Sequence, residues 1–334
     1  MRWPAERLSP TTVAVAVSAI GVVLGAVGLA PVRSQTPALD APQAPAPIAD
    51  DEPWAAVWES APALRVPLSA QNIAPPFGGG AVNSVTARAF HDAGRLYVVL
   101  EWADGGQDAS VAATEDFSDA AALQFPIGSG AATPYTMGGP GLPVNIWQWK
   151  AVWQADIESG FETTADRWPD TLVDLYPHPD DPLYRPAEGL GNLQADRDRS
   201  TPIEDLVAEG FGTLTTADAQ NVTGSGEWRD GRWRALFARD LDPGSTEATT
   251  FAVGATTPVA FAVWDGNAGD RNGEKSIAQF VDLRLVGDVT LPTVPEVVEP
   301  DGSTTLPIFL VGIGGLLLLS LLLLSFGRKQ KSED

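Results

Sequence analysis

GEWRDGRWRALFARDL (residues 226–241) sets Asp230 and Gly231 between two runs in which apolar and polar side chains alternate. An Asp-Gly pair suits a two-residue turn that needs positive φ at both central positions, so the stretch reads as a β-hairpin. The same period recurs before it in LRVPL (64–68), SVTARAF (84–90), RLYVVLEW (95–102), AALQFP (121–126) and VNIWQWKAVW (144–153). After it come TTPVAFAVWDG (256–266) and SIAQFVDLRLV (276–286). Short strands in this number, with no sustained helical period, predict a mainly β fold: an antiparallel β-sandwich with long loop insertions. In VNIWQWKAVW, counting by two puts Trp147, Trp149 and Trp153 on one face, where packing against a second sheet is favoured over stacking on a ligand.

From about Asp156 to Glu209 the alternation lapses into sequence rich in Pro, Asp and Gly. One short helix is expected there, TPIEDLVAEG (201–210), with Thr201 as cap and Glu204 three residues on. A loop of this length is usually functional, and docking a partner or covering a cofactor would both fit it.

The two ends frame this domain. Arg2 and Arg7 precede an apolar run from Thr12 to Ala30, so residues 1–35 read as a signal peptide or signal anchor, with cleavage expected around 30–36. Residues 36–51 (TPALDAPQAPAPIADD) read as a Pro/Ala-rich linker, 52–290 as the sandwich domain and 291–305 as a second linker. Leu306 to Phe326 is uncharged and, as a helix of about 32 Å, would span a bilayer. Arg328, Lys329 and Lys331 follow it in a tail of residues 327–334, which places the tail in the cytoplasm and the sandwich outside the cell membrane.

The net charge of −22 comes from 43 acidic and 21 basic residues, which argues against a nucleic-acid partner. Such a surface repels itself in dilute buffer and suits concentrated salt, so a halophilic source is expected. With no cysteine, the chain can hold no disulfide, thiolate zinc site, iron–sulfur cluster or covalently attached c-type haem. His91 and His178 are the only histidines, and neither a Ser/His/Asp grouping nor a nucleotide-binding glycine motif appears. In WDGNAGDRNGEKS (264–276), Asp265, Asn267, Asp270, Asn272 and Glu274 hint at calcium, but their spacing misses the EF-hand loop, and a solvated turn is the better reading.

Two rare residues stand out. Met137, in PYTMGGPG (134–141), is the one methionine after the initiator, and Lys275 is one of two lysines between the terminal hydrophobic runs. By rarity alone, the methionine is core filler and the lysine a solvated charge.

The order YTMGGPG (135–141), VNIWQWKA (144–151), IEDLVAEGFGTLT (203–215), GEWRDGRWRALFARDL and FAVWDGNAGDRNGEKSIAQF (261–280) nevertheless resembles one family. It is similar to the haem b-binding γ subunits of ethylbenzene dehydrogenase, dimethylsulfide dehydrogenase, and chlorate, selenate and some nitrate reductases. The likeness spans about Glu52 to Val286. It implies a β-sandwich holding one non-covalent haem b, with Met137 and Lys275 as axial iron ligands. It also implies a non-catalytic electron-transfer role in anaerobic respiration, beside an iron–sulfur β subunit and a molybdopterin catalytic α subunit. The redox carrier would be quinone-linked, or a soluble cytochrome or copper protein. Family members are often soluble, so the C-terminal membrane segment is a departure that bears on the choice of carrier. The residues themselves leave open a second class: a membrane-tethered β-sandwich module for glycans or cell-surface partners, stabilised by calcium.

Overall fold

A computed structural model describes residues 37–287, apart from 93, 129–132 and 171–184. Its strands are β1 (Ala38–Pro42), β2 (Ala63–Pro67), β3 (Ser69–Ala70), β4 (Ser84–His91), β5 (Arg95–Ala103), β6 (Ala120–Pro126), β7 (Val144–Lys150), β8 (Ile203–Ala208), β9 (Thr215–Thr216), β10 (Thr223–Arg229), β11 (Arg232–Asp240), β12 (Thr256–Trp264), β13 (Ser276–Ile277) and β14 (Val281–Val286). They form two sheets. The larger runs β1-β14-β12-β6-β7-β8-β9, with β13 joining β12 to β3, and the smaller runs β10-β11-β5-β4-β2. The expected hairpin is β10–β11, closed by Asp230 (φ 51°) and Gly231 (φ 78°) between the pairs Arg229↔Arg232 and Trp228↔Trp233.

The sheets meet face to face through aromatic rings. Trp102 on β5 and Trp233 on β11 lie 6.0 and 4.8 Å, centroid to centroid, from Trp149 on β7, and both contacts are edge-on. A Cβ on Gly226 of β10 would fall 2.2 Å from the Trp149 ring, so this close approach requires glycine there. Farther along, Phe125, Trp147 and Phe251 form a second aromatic group. Burying each tryptophan contributes at most about 4–6 kcal/mol from its apolar area. Trp147 and Trp149 therefore pack against the second sheet, as their alternation indicated.

One cation sits in this interior. Arg239 on β11 is 0 % exposed, and donates to Asn145 Oδ1 at 2.8 Å and to the Thr249 carbonyl. Its guanidinium lies over the Trp147 and Phe251 rings. Asn145 in turn donates to the buried Asp205 carboxylate, so a polar chain links β11, β7 and β8 through the core.

Several expectations need correction. The stretch read as a linker, 36–51, supplies β1, which pairs in parallel with β14 while the other strand pairings are antiparallel. Leu39 and Ala41 are buried there, a two-residue apolar period too short to read amid prolines, and Pro42 is tolerated at the strand's end. The expected TPIEDLVAEG helix is strand β8. Glu204 does not turn back to cap Thr201, because its carboxylate is bound by Lys150 and Thr216, and the Thr201 hydroxyl accepts from the Ile203 N–H. Trp153 leaves the strand face because β7 stops at Lys150 and α1 (Ala151–Ser159) begins. SIAQFVDLRLV breaks into β13 and β14. The N-terminal segment, the membrane helix, the tail and His178 lie outside the described residues, among which no helix is long and apolar enough to cross a membrane.

Candidate functional site

The face of the larger sheet turned away from the smaller one is also apolar. On β7, Trp147 and Trp149 point inward while Ile146, Gln148 and Lys150 point outward. On β6, Leu123 and Phe125 are inward with Ala122 and Gln124 outward; on β12, Val259 and Val263 are inward with Ala260, Ala262 and Trp264 outward. A strand has a period of two, so each of these strands serves the core with one set of side chains and this outer face with the other. The outward set includes three alanines, which cannot fill the space above the sheet. The small recess they leave is walled by Met137, Ile146, Trp264 and Lys275 and adjoins a cleft that shares those four walls and continues over Gln148, Lys150 and Leu206. That cleft has a volume of about 690 Å³, within the roughly 300–1,000 Å³ usual for small-molecule and cofactor sites.

Met137 and Lys275 both line this cleft, with Ile146, Phe211 and Trp264. Met137 has φ 66°, a left-handed backbone uncommon outside glycine that costs on the order of 1–3 kcal/mol. The surrounding chain imposes it: the Gly210 N–H donates to the Met137 carbonyl at 2.7 Å, and Gly138 also has positive φ, with space for no Cβ beside the Leu142 carbonyl. The Met137 side chain packs against the outer-face cluster that includes Ile146, Leu206 and Trp264.

Lys275 is fixed through its backbone. The Gln71 N–H donates to the Lys275 carbonyl, and Gly79, at φ 83°, lies so close that a Cβ would come within 2.1 Å of the Lys275 carbonyl carbon. The Gln71 side chain holds the two loops together, donating to the carbonyls of Ala74, Pro76 and Gly273. Lys275 Nζ stands 4.8 Å from the Trp264 ring centroid and, among the described residues, has neither an ion pair nor a hydrogen bond. Part of the side chain still reaches the cleft, yet burial pushes the ammonium down to about 8. Losing its proton therefore costs far less than for a solvated lysine.

Lys150, the other lysine of the domain, behaves differently. It is ion-paired with Glu204, whose carboxylate also accepts from Thr216 Oγ1 at 2.6 Å and Gln194 Nε2 at 3.0 Å. Its ammonium lies 4.0 Å from the Trp153 ring centroid, and burial lowers its pKa even beside the carboxylate. The cleft thus has a polar end at Lys150 and Glu204 and an apolar end where Met137, Ile146 and Trp264 cluster. The polar end was not foreseen, because Lys150 and Glu204 come together only through β7–β8 pairing. Gln71 and Phe211 were likewise missed; the GGG at 78–80 was the one local sign of a crowded backbone.

The loop 265–274 is a self-closed turn. Asp270 accepts from the Asp265 N–H, Glu274 pairs with Arg271 at 2.6 Å, and the Asn272 carbonyl accepts from Trp264 Nε1. Its five candidate calcium ligands do not converge on one point as a set, and Asp265 alone joins another acidic group.

Residues 55–276 match the family model described as ethylbenzene dehydrogenase. The chain belongs to this family. Within it, the chain is 30 % identical over 274 residues to a Haloferax mediterranei protein named as a respiratory nitrate reductase haem subunit, covering 81 % of each chain. It is 26 % identical over 227 residues to the chlorate reductase γ subunit of Ideonella dechloratans, covering 67 % of this chain and 75 % of that one. Among solved structures, a family 9 carbohydrate-binding module of Caldicellulosiruptor kristjanssonii aligns over 76 % of this chain and 97 % of its own, at 9 % identity and a TM-score of 0.37, too low to carry an argument about function. The resemblance seen in the sequence is therefore correct at the level of the family.

Proposed function

We propose that this chain is an electron-transfer subunit holding one haem b in the outer-face cleft, with Met137 Sδ and Lys275 Nζ as the axial donors. The observation that carries this reading is that a thioether and an amine unpaired among the described residues, 138 positions apart in sequence, line one cleft roomy enough for a cofactor. The donor chemistry fits: sulfur is a soft ligand that favours reduced iron, and an amine whose pKa burial has brought down to about 8 gives up its proton to a metal far more readily than a solvated lysine. The cleft's two ends suit an amphiphilic macrocycle, with Met137, Ile146 and Trp264 at the apolar end and Lys150 at the polar end. The bound haem would supply one-electron redox chemistry; the protein positions it, excludes water from most of it and sets its axial ligands.

The relatives' names, a haem subunit and a γ subunit of reductases, support a place in a multi-subunit oxidoreductase without substrate chemistry in this chain. On this reading the partners are an iron–sulfur subunit and a molybdopterin subunit, with a membrane-linked or soluble carrier on the other side. The terminal hydrophobic runs support a sandwich exported and tethered by Leu306–Phe326. The acidic surface supports function in concentrated salt.

The test is optical. Full-length protein should purify with a haem absorption spectrum that the pyridine haemochrome assay assigns to type b, and Met137→Ala and Lys275→Ala should each change that spectrum or lose the pigment. A native spectrum in both variants would overturn the ligand assignment, and a colourless wild-type chain that takes up no haem would overturn the reading as a whole.

A further inference from the structure

At the end of the sandwich where β5 and β12 finish and β6 begins, four aspartates converge. Asp104 follows β5 in the smaller sheet, Asp119 precedes β6 and Asp265 follows β12 in the larger one, and Asp108 lies on the loop between β5 and β6. One carboxylate oxygen from each lies within 4.8 Å of those of the other three. Oxygens around calcium at 2.3–2.6 Å are at most about 4.6–5.2 Å apart, so the four fit within a single coordination shell.

A cluster of acids on a surface can simply be solvated, but this one is not. Asp104 is 5 % exposed and its Oδ2 is buried, as is Asp108 Oδ2; Trp102 Nε1 and the Asn267 N–H lie beside these carboxylates, but neither oxygen has a partner in hydrogen-bond geometry. The only bond from the Asp104 carboxylate to a loop N–H is at Oδ1, from Gly106. Asp119 is fully buried and accepts from the N–H groups of Gly266 and Asp108 and from Trp233 Nε1. A carboxylate has about four acceptor positions, so one remains. Among the described residues, no lysine or arginine makes an ion pair with any of the four. Gly266 allows the convergence: a Cβ there would meet the Phe117 carbonyl at 2.0 Å and Asp108 Cβ at 2.7 Å. Like charges gathered out of water with two orphaned oxygens lack a counter-charge.

We propose that Asp104, Asp108, Asp119 and Asp265 bind one calcium ion, which fastens the two sheets together and anchors the start of the loop that runs to Lys275. Water would complete the six to eight oxygens that calcium takes. The site is independent of the haem reading, since none of its ligands lines the cleft.

Full-length protein stripped with EDTA and transferred to metal-free buffer of constant ionic strength should show one saturable calcium-binding event per chain by calorimetry. Calcium should also raise Tm by several degrees. Asp104→Asn should weaken calcium binding at least roughly 10-fold. In metal-free buffer the same variant should be as stable as the wild type or more so, because it relieves repulsion, a sign that a purely structural aspartate would not give. Failure of the stripped wild type to bind calcium or gain in Tm would overturn the proposal. An Asp104→Asn loss of Tm that is equal with and without calcium would do the same, and an equal response to magnesium would overturn the assignment to calcium.

Discussion

The two faces of the larger sheet are built from the same strands and do opposite things. On the inner face of β7, Trp147 and Trp149 are fully buried against rings of the neighbouring elements, and nothing is left over. One residue away, Ile146, Gln148 and Lys150 line an open cleft. β8 repeats the contrast. Asp205 turns inward to the Asn145–Arg239 chain, whereas Glu204 turns outward to Lys150 and Thr216. A strand supplies two faces at equal spacing; what stands opposite each face decides whether it becomes core or site.

Variants on the inner face should therefore cost stability, and those on the outer face should cost cofactor. The largest effect is expected from Trp149→Ala, which removes a fully buried ring touching Trp102 and Trp233 of the smaller sheet and should cost about 3–5 kcal/mol in denaturant unfolding. A loss below about 1 kcal/mol would mean that the inner face is not the core.

Next comes the pH response of Asp205. Burial pushes its carboxyl up to about 6 from 3.8, so the native state holds this proton more tightly than the unfolded chain does. Its stabilising contribution is complete below about pH 4 and is lost as the pH rises through 6. At about 1.4 kcal/mol per pKa unit, the wild type should lose about 2–3 kcal/mol more than Asp205→Asn between pH 4 and 7. Parallel pH profiles for the two proteins would contradict this.

The sharpest comparison uses two alanines on adjacent, paired strands. Ala121→Leu pushes into the filled inner face near Trp149 and should cost about 1–3 kcal/mol. Ala262→Leu fills the recess beside the cleft that Met137 and Lys275 also line, and should change cofactor-free stability by less than about 0.5 kcal/mol while preventing haem retention on reconstitution. Equal destabilisation by both would show that the faces do not differ as described.

Much of this was legible along the chain. Alternation marked most of the strands, the Asp-Gly pair marked the hairpin, and the tryptophans of β7 were correctly read as packing residues. The errors fell where a local signal competed with a distant partner. Thr201 and Glu204 carry the spacing of a helix cap, but Glu204 has Lys150 across the β7–β8 pair, and strand pairing outweighs a cap worth about 1 kcal/mol. The prolines around β1 suggested a tether, since its parallel partner β14 lies more than 240 residues later.

Period, turn chemistry and rarity are properties of neighbouring residues, so the sequence by itself determined a two-faced β architecture and singled out Met137 and Lys275 as unusual. It could not say that these two share a cleft, that Lys150 is neutralised while Lys275 is not, or that four scattered aspartates meet. Those outcomes depend on which strands lie side by side and which loops cross them. Burial, which decides whether a charge is solvated, paired or left needing a partner, exists only once the sheets have closed.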